Sequence, residues 1–226
     1  LNWNERIVEG RFIGFELITN HCHYFFGSAK LAKPDLQFIF PEYEFRFIKQ
    51  VHGNDIVPSQ PDPAVADGHW TTEKNVGLVI QTADCMPVLI GHEGLAIAVH
   101  AGWRGVEAGI LSKAAELSRA RSRSIDKVLI GPHILADEFE VGLDVAERLE
   151  ASHRQVAASS AMLDHADPAK KRVNLAKIGR DQMAAVLGRQ VQVEISPVST
   201  LSSPHFHSFR RGKSKEARQY SFIVLR

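Results

Sequence analysis

Three residues of this chain carry the chemistry that its sequence most plainly offers. His52 follows the run FRFIKQV (45–51) and precedes Gly53. Cys85 follows VGLVIQT (76–82) and precedes Met86-Pro87, and His100 ends LAIAVH (95–100) ahead of Ala101-Gly102. Each stands at the end of an expected strand, beside residues that turn the chain. Such ends can converge on one rim of a sheet, where loops build a site on a rigid floor. One thiolate and two imidazoles suit a borderline-soft divalent ion, zinc above all, with copper the less favoured choice. Three protein ligands leave a fourth position open, and an ion held that way can activate a water near neutral pH. The spacing matches no CxxC or HExxH signature, so it does not by itself decide for a metal. The same atoms also read as a metal-free pair, with Cys85 the nucleophile and His100 its base. A third reading makes Cys85 a buried structural thiol and His100 a core histidine.

The elements that must position these residues come from a chain of 226 residues, long enough to bury a substantial core and expected to form a single domain over 1–226. Its formal net charge of +1 argues against a nucleic-acid or anionic-membrane partner. Two cysteines, Cys22 and Cys85, make no disulfide framework. The opening LNWNERIVEG does not read as a signal peptide, and the apolar runs are too short to span a bilayer, so a cytoplasmic location is expected.

Strands are expected at 15–19, 36–40, 44–51, 76–82, 86–91, 95–100, 127–132, 190–195 and 219–225, with 86–100 a hairpin turning at His92-Glu93-Gly94. Helical periodicity marks 105–121, 141–151 and 174–187, the last with Asn174 able to cap its start and Gly188 to end it. Residues 62–74 read as a surface loop and 153–173 as irregular. Strands outnumber helices and often adjoin in sequence, which predicts an α+β fold with a mainly antiparallel or mixed sheet.

The blocks KQVHG (49–53), QTADCMPVLI (81–90), AVHAGWRG (98–105), IGP (130–132) with EVG (140–142), and HSFRR…ARQYSFIVL (207–225) resemble the multicopper polyphenol oxidase (laccase-like) family. Bacterial members are described as purine nucleoside phosphorylase/adenosine deaminase enzymes, and one branch as a peptidoglycan editing factor. The resemblance implies that His52, Cys85 and His100 are ligands of a catalytic zinc. It implies phosphorolysis of adenosine, inosine, guanosine and methylthioadenosine, deamination of adenosine, and a four-layer α/β/β/α sandwich with largely antiparallel sheets. The chain departs from the family at HCHYFFGSAKLAKPD (21–35), where an Arg-x-Gly-Gly-Val-Ser block is usual. It also carries His133 and Ser199-Thr200 where the family has Cys and Cys-Thr.

Other residues fill supporting roles in this reading. Asp84, next to Cys85, is expected to orient a ligand imidazole or relay a proton, with Glu107 the other acidic candidate. Arg104 and Arg211 are the cations expected to hold phosphate or a developing anion. Gln50 shares a strand face with His52 and is expected to touch substrate, and Trp103 could stack on a purine. Two rival functions remain: a metal-independent Cys85/His100 amidase acting on a cell-wall precursor, and a non-catalytic protein whose zinc is closed by a fourth ligand (His133, His205 or Cys22). A copper-linked polyphenol oxidase ranks lower, because one three-ligand site lacks the several centres needed to reduce oxygen.

Overall fold

The computed structural model describes residues 3–121, 124–214 and 216–226. In chain order, β1 (Asn4–Val8), β2 (Arg11–Ile18) and β3 (Cys22–Gly27) lead into α1 (Lys33–Ile39), then β4 (Glu44–Arg46), β5 (Ile56–Pro58) and β6 (Gly68–Thr71). The central strands follow: β7 (Val76–Thr82), β8 (Met86–His92) and β9 (Leu95–Ala101). Next come α2 (Trp103–Glu107), α3 (Ile110–Arg121), β10 (Ile125–Ile130), β11 (Glu140–Gly142), α4 (Leu143–His153), β12 (Met162–Leu163) and β13 (Lys170–Val173). The chain closes with α5 (Leu175–Leu187), β14 (Val193–Ile195), α6 (Phe209–Gly212) and β15 (Gln219–Leu225).

These strands form two six-stranded sheets, ordered β1-β2-β3-β15-β7-β4 and β14-β10-β8-β9-β6-β5, and a small β11-β13-β12 sheet. Most pairs are antiparallel; β4/β7, β5/β6 and β10/β14 are parallel. The two large sheets face each other across a shared core that includes Cys22, Tyr24, Phe26, Leu78, Ile80, Leu89, Ala96, Ala98 and Ile223. Because side chains alternate along a strand, Val88, Ile90, Ile97 and Val99 point the other way. They pack beneath α3 and α5 with Ile110, Leu111, Ala114, Ile178 and Met183. On the outer face of the first sheet, Leu36 and Phe40 from the α1 segment meet Phe25, Val79 and Phe222. The result is the α+β fold expected from the strand pattern, in the helix, sheet, sheet, helix layering that the family resemblance implied.

Local differences have physical reasons. Residues 36–40 were expected as a strand, but most of them lie in α1. Pro34 sits in the first helical turn and the Asp35 carboxylate accepts the Ala32 N–H at 2.8 Å. Leu36 and Phe40 are buried one helical turn apart, whereas Phe38, which strand alternation would have buried with them, is 82% exposed. The expected strand 44–51 pairs regularly only over Glu44–Arg46. The single expected helix 105–121 is two, separated where Gly109 takes φ 77°. The expected loop 62–74 contains β6, and the irregular region 153–173 contains β12 and β13. Asn174 caps α5 as expected, its Oδ1 accepting the Lys177 N–H at 2.8 Å. Among the described residues no helix is long and apolar enough to cross a membrane.

Candidate metal centre

The link between β7 and β8 passes from one large sheet to the other, and Cys85 lies on that link. His100 is the next-to-last residue of β9 and opposes Pro87 across the β8/β9 pair. It shares a strand face with Ala96 and Ala98, so its ring lies at the rim of the inter-sheet layer. His52 arrives from the loop between β4 and β5. The three donor atoms lie within 4.8 Å of one another, and the two imidazoles meet nearly edge to face at 85°. His52 is exposed, Cys85 half-buried and His100 buried, so the group opens outward on the His52 side. The chain packs closely over it. A Cβ on Gly102 would stand 3.2 Å from both Cys85 Sγ and His52 Cδ2.

Asp67, buried just ahead of β6, ties two of the three donors together. Its Oδ1 accepts the His100 Nδ1–H at 2.8 Å and the His52 N–H at 2.9 Å. Its Oδ2 accepts the N–H groups of Gly53 at 2.7 Å and Val51 at 3.2 Å. His52 has φ 62°, a left-handed conformation that costs a non-glycine residue on the order of 1 kcal/mol. Such a residue turns successive N–H groups inward as an anion-holding nest, and Asp67 fills it.

The charges follow from this packing. Burial alone would push the Asp67 carboxyl up, but the His100 and backbone hydrogen bonds hold it below the usual carboxylate range. Burial would likewise raise the Cys85 thiol, yet the charge and hydrogen bonds of His100 and His52 bring it down to about 6. Burial works to lower His100, while the Cys85 thiolate and Asp67 carry it up to about 9. Near neutral pH the pair is a thiolate beside an imidazolium, a soft anion ready for a cation or for an electrophile. The donor set suits a metal of the zinc type: the bond to Asp67 occupies Nδ1 of His100 and leaves Nε2 as the nitrogen that would take an ion in place of its proton.

The sequence model of the multi-copper polyphenol oxidoreductase laccase family matches residues 32–226. The chain belongs to that family. It is 27% identical over 256 residues to "Purine nucleoside phosphorylase slr1573" of Synechocystis sp., covering 98% of this chain and 97% of that one. It is 32% identical over 184 residues to "Purine nucleoside phosphorylase YfiH" of Escherichia coli K12, covering 79% of this chain and 73% of that one. Its fold superposes on the crystal structure of YlmD from Geobacillus stearothermophilus with TM-score 0.79 at 22% identity, over 91% of this chain and 92% of that one. Neisseria meningitidis protein NMB0706 gives 0.79 at 21% identity, over 92% and 95%.

The family's laccase label carries no multi-copper array into this chain: among the described residues, His52, Cys85 and His100 are the one group of three or more metal-binding side chains. None of the expected fourth ligands joins them. His133 Nδ1 donates to the Gly131 carbonyl at 2.8 Å, Cys22 Sγ lies 3.7 Å from the His92 carbonyl, and the His205 ring packs edge-on against Phe12.

The supporting residues are placed as follows. The imidazole is oriented by Asp67, where Asp84 was expected. Asp84 Oδ1 accepts from Thr200 Oγ1 at 2.8 Å and Oδ2 from the Arg210 N–H at 2.9 Å, while its carbonyl accepts the Ile134 N–H at 3.0 Å. With φ 84°, Asp84 therefore clamps the turn that presents Cys85. The Gln50 amide bonds the Gln81 backbone in both directions, at 2.7 and 2.8 Å, extending the β4/β7 pairing by a side chain. The Arg211 guanidinium donates to the carbonyls of Thr200, Leu201, Ser203 and Phe206 and so braces the 200–206 loop. Glu107 forms a two-pronged pair with Arg148, at 2.7 Å on both bonds. Arg104 is exposed, lies 4.3 Å from the centre of the Trp103 ring, and has no ion pair among the described residues. Asp67 escaped the sequence reading because it lies in the stretch taken for a loop. The only available signal was chemical: a ligating histidine wants a carboxylate on its far nitrogen.

Proposed function

We propose that the chain is a zinc-dependent purine nucleoside enzyme that cleaves adenosine, inosine, guanosine and methylthioadenosine with phosphate and also deaminates adenosine. The observation that carries this reading is the open group of His52, Cys85 and His100, in a chain whose relatives bear the name purine nucleoside phosphorylase. One thiolate and two imidazoles suit zinc and copper alike; zinc is the ion proposed because phosphorolysis and deamination need an open Lewis-acid position and no change of oxidation state. When bound, the ion would supply Lewis acidity and a means of activating oxygen.

The chain's own residues supply binding and orientation. His52, Cys85 and His100 hold the ion. Asp84 fixes the Cys85 turn through Thr200 and the start of α6. Arg104, exposed and unpaired, is the cation offered to phosphate, and Trp103 beneath it can flank a base. Gln50 and Arg211 shape the walls, since their polar atoms are already engaged with backbone. In phosphorolysis a phosphate oxygen forms a bond to ribose C1′ while the bond from C1′ to the base breaks, and the base gains a proton. In deamination water adds at purine C6 and ammonia leaves, giving inosine.

The Cys85–His100 ion pair favours a second reading, a metal-independent thiolate nucleophile of the amidase type that acts on a peptidoglycan precursor. Metal analysis of the purified chain, combined with assays for inosine formation and phosphate-dependent base release, separates the two. About one zinc per chain, with both activities lost on chelation and regained on adding zinc, is the expected result. Activity on an amide that survives chelation and dies on alkylation would replace the purine reading with the thiolate one.

A further inference from the structure

We propose that Asp67 is the positioning residue of the centre: one carboxylate sets both the ring orientation of His100 and the backbone conformation that aims His52. The inference rests on the metal reading above and extends it to a residue outside the ligand set. Four donors converge on this side chain, two on each oxygen: His100 Nδ1 and the His52 N–H on Oδ1, the Val51 and Gly53 N–H groups on Oδ2. An ionised carboxylate has about four acceptor sites and no donor, so it satisfies all four at once. No neutral side chain of the same size does so. An asparagine offers one accepting oxygen and turns its NH2 group against two N–H donors, losing either the His100 side or the Val51/Gly53 side.

Two consequences follow for the ligands. The bond to Asp67 keeps the His100 proton on Nδ1, so that Nε2 is the nitrogen turned toward Cys85 and the ion. The three backbone bonds hold His52 at φ 62°, a conformation that a histidine leaves readily without them. The two histidines are thereby coupled through Asp67 although they are 48 residues apart in sequence. Asp67 touches neither substrate nor ion in this role.

The test uses the full chain and its D67N and D67E variants. Zinc affinity is measured by chelator competition, the cobalt(II)-substituted spectrum reports ligand geometry, and nitrogen-15 NMR reports whether His100 Nδ1 carries a hydrogen-bonded proton in the metal-free wild type. D67N, folded as judged by circular dichroism, is expected to bind zinc about 10–100-fold more weakly and to change the cobalt spectrum. D67E, which keeps the charge but lengthens the arm, should recover less than half of that loss on a logarithmic scale. Wild-type zinc affinity and cobalt spectrum in folded D67N would overturn the proposal, and so would a His100 Nδ1 without a hydrogen-bonded proton in the wild type. The NMR arm needs no variant, so it decides the matter even if D67N does not fold. A wild-type chain that binds no zinc would instead sink the metal reading, while the His100 Nδ1 proton would still report on Asp67.

Discussion

The two cysteines lie toward opposite ends of β8, both at the layer between the large sheets, and they behave as different chemical groups. Cys85 immediately precedes Met86 at one end; Cys22 abuts Gly91 near the other, roughly 20 Å away for six residues of strand. Cys22 is fully buried beside Tyr24, and burial pushes its thiol up to about 12. Cys85 sits where the chain leaves one sheet for the other, and its two histidine neighbours pull its thiol down to about 6. Burial opposes ionisation at both. The difference is the cation: His100 is held charged by the Cys85 thiolate and by Asp67 at one end, and among the described residues no such group stands by Cys22, whose charged neighbour is Asp126. A strand end thus makes a site only where loops bring compensating charge.

The sharpest way to break the comparison is to exchange the cysteines' fates. Cys85→Ala should abolish retained metal and drop nucleoside turnover to background, measured by elemental analysis and inosine release, with the fold intact by circular dichroism. Retained metal and turnover would mean that Cys85 is only a core thiol.

Glycines sharpen the contrast next. A Cβ on Gly91 would stand 1.9 Å from the Tyr24 hydroxyl and 2.8 Å from Cys22 Sγ. Tyr24 is fully buried and its hydroxyl is bonded to Asp126 at 3.0 Å, so neither neighbour can give way cheaply. Gly91→Ala should cost about 1–3 kcal/mol or more in urea unfolding. Gly102→Ala places its Cβ against Cys85 and His52 instead, and should weaken zinc binding while shifting the urea midpoint little. Equal stability losses in both variants would erase the distinction between the two ends.

A gentler probe is alkylation of the metal-free chain across pH. The thiolate is the reactive form, and a thiol held at about 6 stays ionised as pH falls until it passes that value. Cys85 should therefore modify with a midpoint near pH 6, about three units below the ordinary 9.0, while Cys22 stays unmodified until the chain unfolds. A midpoint near 9 for Cys85 would show that His100 does not carry its charge in the folded chain.

How much of this was legible in the sequence differs between the same two regions. The meeting of His52, Cys85 and His100 was readable, because each member ends an apolar run beside glycine or proline, and the ADC and HAGWRG blocks are distinctive. The β8/β9 hairpin was readable from its two apolar runs, and α5 from Asn174 and Gly188. Asp67 and β6 were not. GHWT carries no alternation, and it is interior only because β9 and β5 pair with it on either side. KKRV of β13 was hidden in the same way: three cations precede its one buried apolar residue, Val173, and the run is a strand because β11 and β12 pair with it on either side. The α1 segment was misread because LQFIF fits a strand when Phe38 is counted as core, whereas Pro34 and Asp35 just upstream already mark a helix start. The roles of Gln50 and Arg211 were invisible, because a side chain spent on distant backbone carbonyls leaves no trace in spacing.

The smallest effect belongs to Cys22→Ala. The substitution removes one sulfur from a site with no exposure and forfeits a weak contact of 3.7 Å to the His92 carbonyl. The void is about the size of a methyl group, and its neighbours, Tyr24, Gly91 and the strand partner Leu225, belong to two sheets that relax little. The cost should be about 1 kcal/mol in urea unfolding. Metal content and turnover should match the wild type, because nothing links Cys22 to the centre except the rigid length of β8. A Cys22→Ala chain that lost metal would show that the two ends of β8 are coupled, and the contrast between a structural thiol and a ligand thiol would fail at its quieter end.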